Sequence, residues 1–355
     1  MEINSSVIKD KIALIIKGIV STDNKAAFTN REGRHFMDDW DWFQGVALFG
    51  LYEYYRDSGD RDVLNYLIGW FDEHMAKDAP MKNINSCCPL LTLSCLYELT
   101  GRQDYLDLCK EWAEYAMTQF PRTEEGGFQH LTIDSQNYMQ LWDDTLYMTV
   151  LFIARMGTLL GREDYIQESV RQFLVHIKYL SDTSTGLLFH GFNFDGRHHY
   201  AGARWGRGNA WFTAGLVDYL DIAQIPEGVR LFLLSTLETQ AKALKKYQDA
   251  GGMWHTLIDD ESSYFESSAT AGFSYGLMKA ARLGYLPEEY EECGLKGVKA
   301  ILDRIDEDGL LRDVSAGTCL SDSLDYYRSI RLNAQPYGQS MALLMLMEAG
   351  KRIKE

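Results

Sequence analysis

The strongest constraint in this 355-residue chain is a recurring pair of unlike helices. "LFGLYEYYRDSGDRDVL", "LTLSCLYELTGRQDYL" and "MTVLFIARMGTLLGREDYI" share one plan. Each has an apolar helix, a glycine among polar residues, then an acid opening an amphipathic helix. Gly59, Gly101 and Gly161 fall just past the first helix of each pair, where left-handed backbone is needed. Further apolar helices are expected near Asn209, Ala271 and Gly338. The first helices thus number about six, at intervals of roughly 45–65 residues, the spacing of helix-pair repeats.

The first helices, such as "TLYMTVLFIARM" and "GQSMALLMLMEA", are apolar nearly all round and must be buried on every side. The second helices, such as "YLDLCKEWAEYAMTQF", carry a charged face. An inner ring of buried helices within an outer ring of amphipathic ones satisfies both patterns. The expectation is an all-α (α/α)6 toroid, formed by residues 1–355 as a single domain. An open solenoid would leave one flank of the inner helices in water. Strand-like alternation is rare, and only 6 prolines interrupt the helical pattern.

A formal charge of −16 argues against a nucleic-acid or anionic-membrane partner. The opening "MEINSSVIKDKIALIIKGIV" has its apolar run broken by Lys17 and an acid, Asp10, where a basic region would stand. It reads as an amphipathic helix and not as a signal peptide. No run approaches transmembrane length. The 6 cysteines contain no C-x-x-C and read as buried thiols of a reducing compartment. A cytoplasmic protein, monomeric or weakly dimeric, is expected.

A second repeat lies in the connections: "GGFQH" to His130, "GLLFH" to His190, "GGMWH" to His255, and a weaker "GLLRD" to Asp313. Each follows an outer helix and precedes an inner one, so in a toroid all would emerge at one end. That mouth would also hold the starts of the inner helices. There the sequence puts Trp40, Trp42 and Gln44; Asn83 and Asn85; Trp142, Asp143 and Asp144; Arg204, Trp205, Arg207, Asn209 and Trp211; Glu266; and Gln335 and Tyr337. Flat aromatics with amides, arginines and acids suit a carbohydrate: rings stack on sugar faces, and polar groups bind hydroxyls. Arginines and helix N-termini would favour an anionic group such as a uronate. No metal-binding spacing, phosphate loop or nucleophile elbow is present. Neither a metal nor an organic cofactor is expected. Of the adjacent acids Asp143 and Asp144, one is expected to cap the third inner helix as an anion. The residues alone do not choose which.

The ordered motifs W-x-W-x-Q-G (Trp40 to Gly45), N-I-N (Asn83 to Asn85), W-x-D-T-L-x-M (Trp142 to Met148), G-L-x-x-H-G (Gly186 to Gly191) and W-x-R-G-N-x-W (Trp205 to Trp211) resemble glycoside hydrolase family 105. These are the unsaturated rhamnogalacturonyl hydrolases, related to the unsaturated glucuronyl hydrolases of family 88. The resemblance covers most of the chain. It implies an (α/α)6 fold and a substrate left by a polysaccharide lyase, with a 4,5-unsaturated uronic acid at the non-reducing end. It implies hydration of the C4=C5 vinyl ether, after which the aglycone leaves. It puts the general acid/base on Asp144 and substrate binding on His190, Trp205, Arg207 and Trp211. Either Arg207 or His190 would hold the uronate carboxylate. Trp42, Gln44, Asn85, His130 and Asp143 complete the expected set. Burial against Trp142 and the neighbouring carboxylate would keep Asp144 protonated, while Asp143→Asn would mainly cost stability. Some members use a second aspartate near the start of the second inner helix, where this chain has Asn83 and Asn85. Other readings are an inverting hydrolase pairing Asp144 with Glu266 or Asp39, a sugar isomerase, and an oligosaccharide-binding protein without catalysis.

Overall fold

The computed structural model describes residues 3–20, 36–77 and 79–352. In chain order the long helices are α1 (Ser5–Val20), α2 (Trp42–Ser58), α3 (Arg61–Met75), α4 (Cys88–Thr100), α5 (Gln103–Gln119), α6 (Leu151–Leu160), α7 (Glu163–Leu180), α8 (Gly206–Ile222), α9 (Glu227–Tyr247), α10 (Ser267–Arg282) and α11 (Glu289–Leu302). A short α12 (Leu324–Arg328) precedes the final α13 (Pro336–Gly350). Short strands β1 (Gln140–Trp142) and β2 (Gly191–Asn193) pair antiparallel, as do β3 (Val314–Ser315) and β4 (Leu332–Asn333).

The apolar helices form a closed ring. α2 packs on α4, α4 on α6, α6 on α8, α8 on α10, α10 on α13, and α13 back on α2. The amphipathic helices α3, α5, α7, α9 and α11 follow their inner partners outside. The sixth outer place is filled from the other end of the chain: α1 packs on α13 through buried Ile8, Ile15 and Ile19. This is the expected (α/α)6 toroid. The reason is visible in burial. All but a few residues of α8, α10 and α13 are buried, as rings of neighbours on both sides require. The inner helices α2, α4 and α6 end at Gly59, Gly101 and Gly161, all left-handed, so the short turn to the outer helix is made where the glycines stand.

The two ends of the barrel differ. The inner helices begin at one mouth, where the long connections meet. At the other end their last turns gather charge: Glu53, Asp218, Asp221 and Lys279, with Lys279 Nζ 2.7 Å from Asp218 Oδ1 and 2.6 Å from Asp221 Oδ2. Five of the 6 cysteines are buried, and Cys319 is exposed. Among the described residues no helix is long and apolar enough to cross a membrane.

Candidate active site

The β1–β2 pair sets the site. Trp142 lies opposite Gly191, and the Asp143 N–H donates to the His190 carbonyl at 3.0 Å. Two connections far apart in sequence are thereby joined next to the paired acids. The chain then enters the third inner helix through a widened π turn, Leu146–Val150, in place of a regular first turn. Tyr147 and Met148 N–H both reach the Asp144 carbonyl at 3.0 Å. Such turns cluster at functional sites.

The two acids have different surroundings. Asp143 is fully buried, and neither carboxylate oxygen receives a hydrogen bond from a donor group. It lies against the first turn of α8 at Gly208, where a Cβ would collide with both oxygens. Burial first, then the Asp144 carboxylate, pushes the Asp143 pKa well above the carboxylate range. Asp144 is 8% exposed. Its Oδ2 lies 3.3 Å from His190 Nε2, a close contact outside hydrogen-bond geometry, and among the described residues neither atom has a hydrogen-bond partner. Burial alone would raise Asp144, but the His190 contact, then His130 and Arg207, hold it below the usual value. The two acids and His190 offer oxygens and a nitrogen all within 4.8 Å of one another. This order of protonation departs from the sequence expectation. Asp143 is pushed up and Asp144 held down, because the closest imidazole contact, His190 Nε2, is made by Asp144. Two ionised carboxylates and an imidazole at that spacing could ligate a divalent cation.

The histidines are held in fixed poses. His130 stacks on Trp142 at 4.3 Å and 5° and has Nδ1 2.8 Å from Thr145 Oγ1. Burial lowers its pKa to about 4. His190 sits between Trp142 and Trp205, 5.4 and 4.2 Å away, and burial lowers its pKa too. His255 also comes to this mouth, its carbonyl against Gly206 at the start of α8, but its Nδ1 is 2.5 Å from the Ser263 carbonyl and its ring packs on Phe265.

Arg207 is buried and engaged. Nη1 donates to the carbonyl and Oγ of Ser315, and Nη2 to the Ala316 carbonyl (2.9 Å) and Thr318 Oγ1 (3.2 Å). Its guanidinium lies over the Trp205 ring at 4.5 Å. Among the described residues only Nε remains without a partner. Arg207 thus ties down a strap, residues 314–333, that runs across the mouth between α11 and α13. Glu266 accepts the Ser315 N–H at 2.8 Å, Tyr337 donates to the Ser315 carbonyl, and Leu320 packs on Gly191. Ser321 accepts the Ala201 N–H at 3.1 Å. The strap delivers Tyr327, whose hydroxyl is 2.8 Å from His190 Nδ1. Sequence reasoning missed this residue; the only signal was the pair "YY" in a long connection without helical periodicity.

The remaining expected residues divide into mouth, cap and core. Asn85 is half-buried at the mouth, while Asn83 Oδ1 accepts the Asn85 and Ser86 N–H groups at 2.8 and 3.0 Å as a turn-former. Gln44 Oε1 accepts the Asp41 N–H at 3.1 Å and so helps to cap α2. Trp42 stacks on Tyr337 at 4.6 Å and meets Trp211 edge-on at 6.2 Å. Trp211 is fully buried inside the ring, and Trp40 packs on Trp70 and Trp112 toward the outer helices. Glu266 is saturated: its oxygens accept from Ser315, Ser268 and Ala269, which makes it the cap of α10.

A family profile described as Glycosyl Hydrolase Family 88 matches residues 19–353. The chain is 35% identical to the unsaturated rhamnogalacturonyl hydrolase YesR of Bacillus subtilis, over 89% of this chain and 91% of YesR. It superposes on the crystal structure of a possible member of the GH105 family from Salmonella enterica with a TM-score of 0.94. The two are 41% identical, over 99% of this chain and 96% of that one. An unsaturated glucuronyl hydrolase from Bacillus sp. GL1 has the same fold at 18% identity, with a TM-score of 0.74 over 98% of this chain and 97% of that one.

Proposed function

The chain belongs to Glycosyl Hydrolase Family 88, and we propose that it removes a 4,5-unsaturated uronic acid from the non-reducing end of lyase-generated oligosaccharides. The likeness to YesR favours an unsaturated rhamnogalacturonan disaccharide as substrate. The observation that carries the reading is Asp144, on the W-x-D-T-L-x-M motif, slightly exposed beside His190 and backed by a second, buried carboxylic acid.

The chemistry follows from that pair. In the resting site the proton rests on Asp143 and the charge on Asp144. An entering uronate brings a further negative charge and excludes water, which raises the proton affinity of Asp144. The pair behaves as one titrating unit, so the proton can pass from Asp143 to Asp144. Asp144 then gives it to C4 of the vinyl ether, and positive charge develops at C5 and the ring oxygen. A water oxygen bonds to C5 as its proton returns to Asp144. The hemiketal opens by breaking the bond between C5 and the ring oxygen, leaving a ketone at C5. The resulting hemiacetal at C1 then collapses to an aldehyde and releases the aglycone alcohol. Charge balances throughout, and the protein supplies only a proton and its acceptor. His190 touches Asp144, the His130 and Arg207 charges act on it, and Trp205 packs on His190; we assign the uronate to this face. Trp42, Gln44, Asn85 and Trp211 are assigned to shaping the pocket around it. The saturated state of Glu266 speaks against an inverting pair with Asp144.

We read the protein as one catalytic domain, a cytoplasmic monomer or weak dimer that uses no metal or organic cofactor. The buried thiols agree with a reducing compartment. The test is direct. The protein mixed with lyase-digested pectin is expected to bleach the ultraviolet band of the unsaturated uronide, with or without a chelator. No change over a panel of unsaturated disaccharides would overturn the reading.

A further inference from the structure

We propose that Tyr327 is a positioning residue for this reaction: its hydroxyl donates to Nδ1 of His190, fixes the neutral ring with its proton on Nε2, and so turns the Nε2 hydrogen to the side where Asp144 lies. The inference rests on the hydrolase reading only for its kinetic arm.

The polar partners leave one consistent arrangement. Tyr327 is 1% exposed, and its hydroxyl lies 2.8 Å from His190 Nδ1. The Ser321 backbone lies beside that hydroxyl. With the Asp144 carboxylate beside Nε2, the neutral ring is favoured with its hydrogen on that nitrogen, which leaves Nδ1 as acceptor for the phenolic proton. The neutral ring carries its hydrogen on Nε2, 3.3 Å from Asp144 Oδ2. Burial favours that neutral ring. The charged or titratable groups around His190 are Asp144, Asp143, Arg207, His130 and Tyr327, and the rings of Trp142 and Trp205 enclose it. Among these, the Asp144 carboxylate faces Nε2 and the Tyr327 hydroxyl faces Nδ1. Reversing the tautomer would set the Nε2 lone pair against the Asp144 carboxylate.

The consequence for catalysis is a requirement on the strap. Tyr327 comes from α12, far in sequence from both acids, and reaches His190 only while Arg207, Glu266 and Tyr337 hold residues 314–333 across the mouth. The strap is thus part of the apparatus that orients the proton donor, and not only a wall for the substrate.

The experiment has two arms. In the first, nitrogen chemical shifts of the histidine rings in the uniformly labelled wild-type protein are assigned with a His190→Gln control. Nδ1 of His190 is expected in the unprotonated range and Nε2 in the protonated range near neutral pH. The opposite pattern would overturn the proposal without any activity being measured. In the second, Tyr327→Phe is compared with wild type in bleaching assays across pH. Loss of the hydroxyl removes a bond that favours the neutral ring, so His190 protonates more easily. The acidic limb of kcat/KM is expected to move up by roughly half to one pH unit, with kcat down on the order of tenfold and KM within about twofold. A purely structural role would lower the amount of active protein and leave the limb in place, and that result would also overturn the proposal. A wild-type protein inactive on every unsaturated disaccharide, yet with the expected nitrogen shifts, would sink the hydrolase reading and leave the tautomer assignment standing.

Discussion

Asp143 and Asp144 are adjacent in sequence and opposite in state, and the difference predicts how each responds to substitution. Asp144→Asn is expected to abolish bleaching, a loss on the order of a thousandfold or more, because it removes the group that both gives and takes the proton. Asp143→Asn puts a neutral side chain of equal size where a neutral acid already lies, so the fold is expected to survive with little change in melting temperature. Activity at neutral pH is expected to fall roughly ten- to a hundredfold, since Asp144 loses its neighbouring proton source and must be protonated from solvent. The pH optimum should shift to the acid side. Equal activity of Asp143→Asn and wild type across pH would refute the shared-proton account. The position of Asp144 was legible in the sequence, since W-x-D-T-L-x-M marks one acid of the two. Its state was not, because it depends on His190, which the β1–β2 pair brings in from another connection, and on the room left by Gly208.

Helices carried most of the information that a sequence can hold, and the strap carried almost none. "GVALFGLYEYY" and "AWFTAGLVDYL" are apolar on every face, so their burial within the ring could be read directly. The segment 314–333 has no such period; its shape is set by hydrogen bonds from α8, α10 and α13. That is why Arg207 was expected to face the ligand when most of its donors serve the strap. Arg207→Lys cannot reproduce the fork to Ser315 and Ala316. It is expected to cost about 2 kcal/mol or more in denaturant unfolding and to make residues 314–333 the first site of limited proteolysis. Proteolysis that begins elsewhere would count against the strap's dependence on Arg207. Gly208→Ala tests the close approach of α8 to Asp143. The added methyl collides with the carboxylate, and a loss of about 1–3 kcal/mol is expected.

Across the whole molecule, buried acids set the response to pH. Burial raises Glu53, at the charged end of the barrel, from 4.5 to about 7, and Asp41, at the mouth, from 3.8 to about 7. A folded-state pKa above the unfolded one means that the native protein holds a proton which the unfolded chain has lost. The contribution of Glu53 is therefore fully present below its unfolded pKa. It declines as pH rises toward about 7, by up to about 1.4 kcal/mol per unit, and is lost above. Glu53→Gln is expected to flatten part of that decline when unfolding by urea is followed at several pH values; an unchanged slope would exclude Glu53 as its source. Closure of the ring was foreseen from the repeat, but the origin of its sixth outer helix was not, since α1 lies far from α13 in sequence and carries no glycine-linked partner beside it. That pairing has a consequence for order of assembly. On the ribosome α1 is made first, yet the surface that covers Ile8, Ile15 and Ile19 is made last. Every other hairpin can form as it emerges, whereas the barrel cannot shut, nor the strap be pinned by Tyr337, until synthesis has passed through α13.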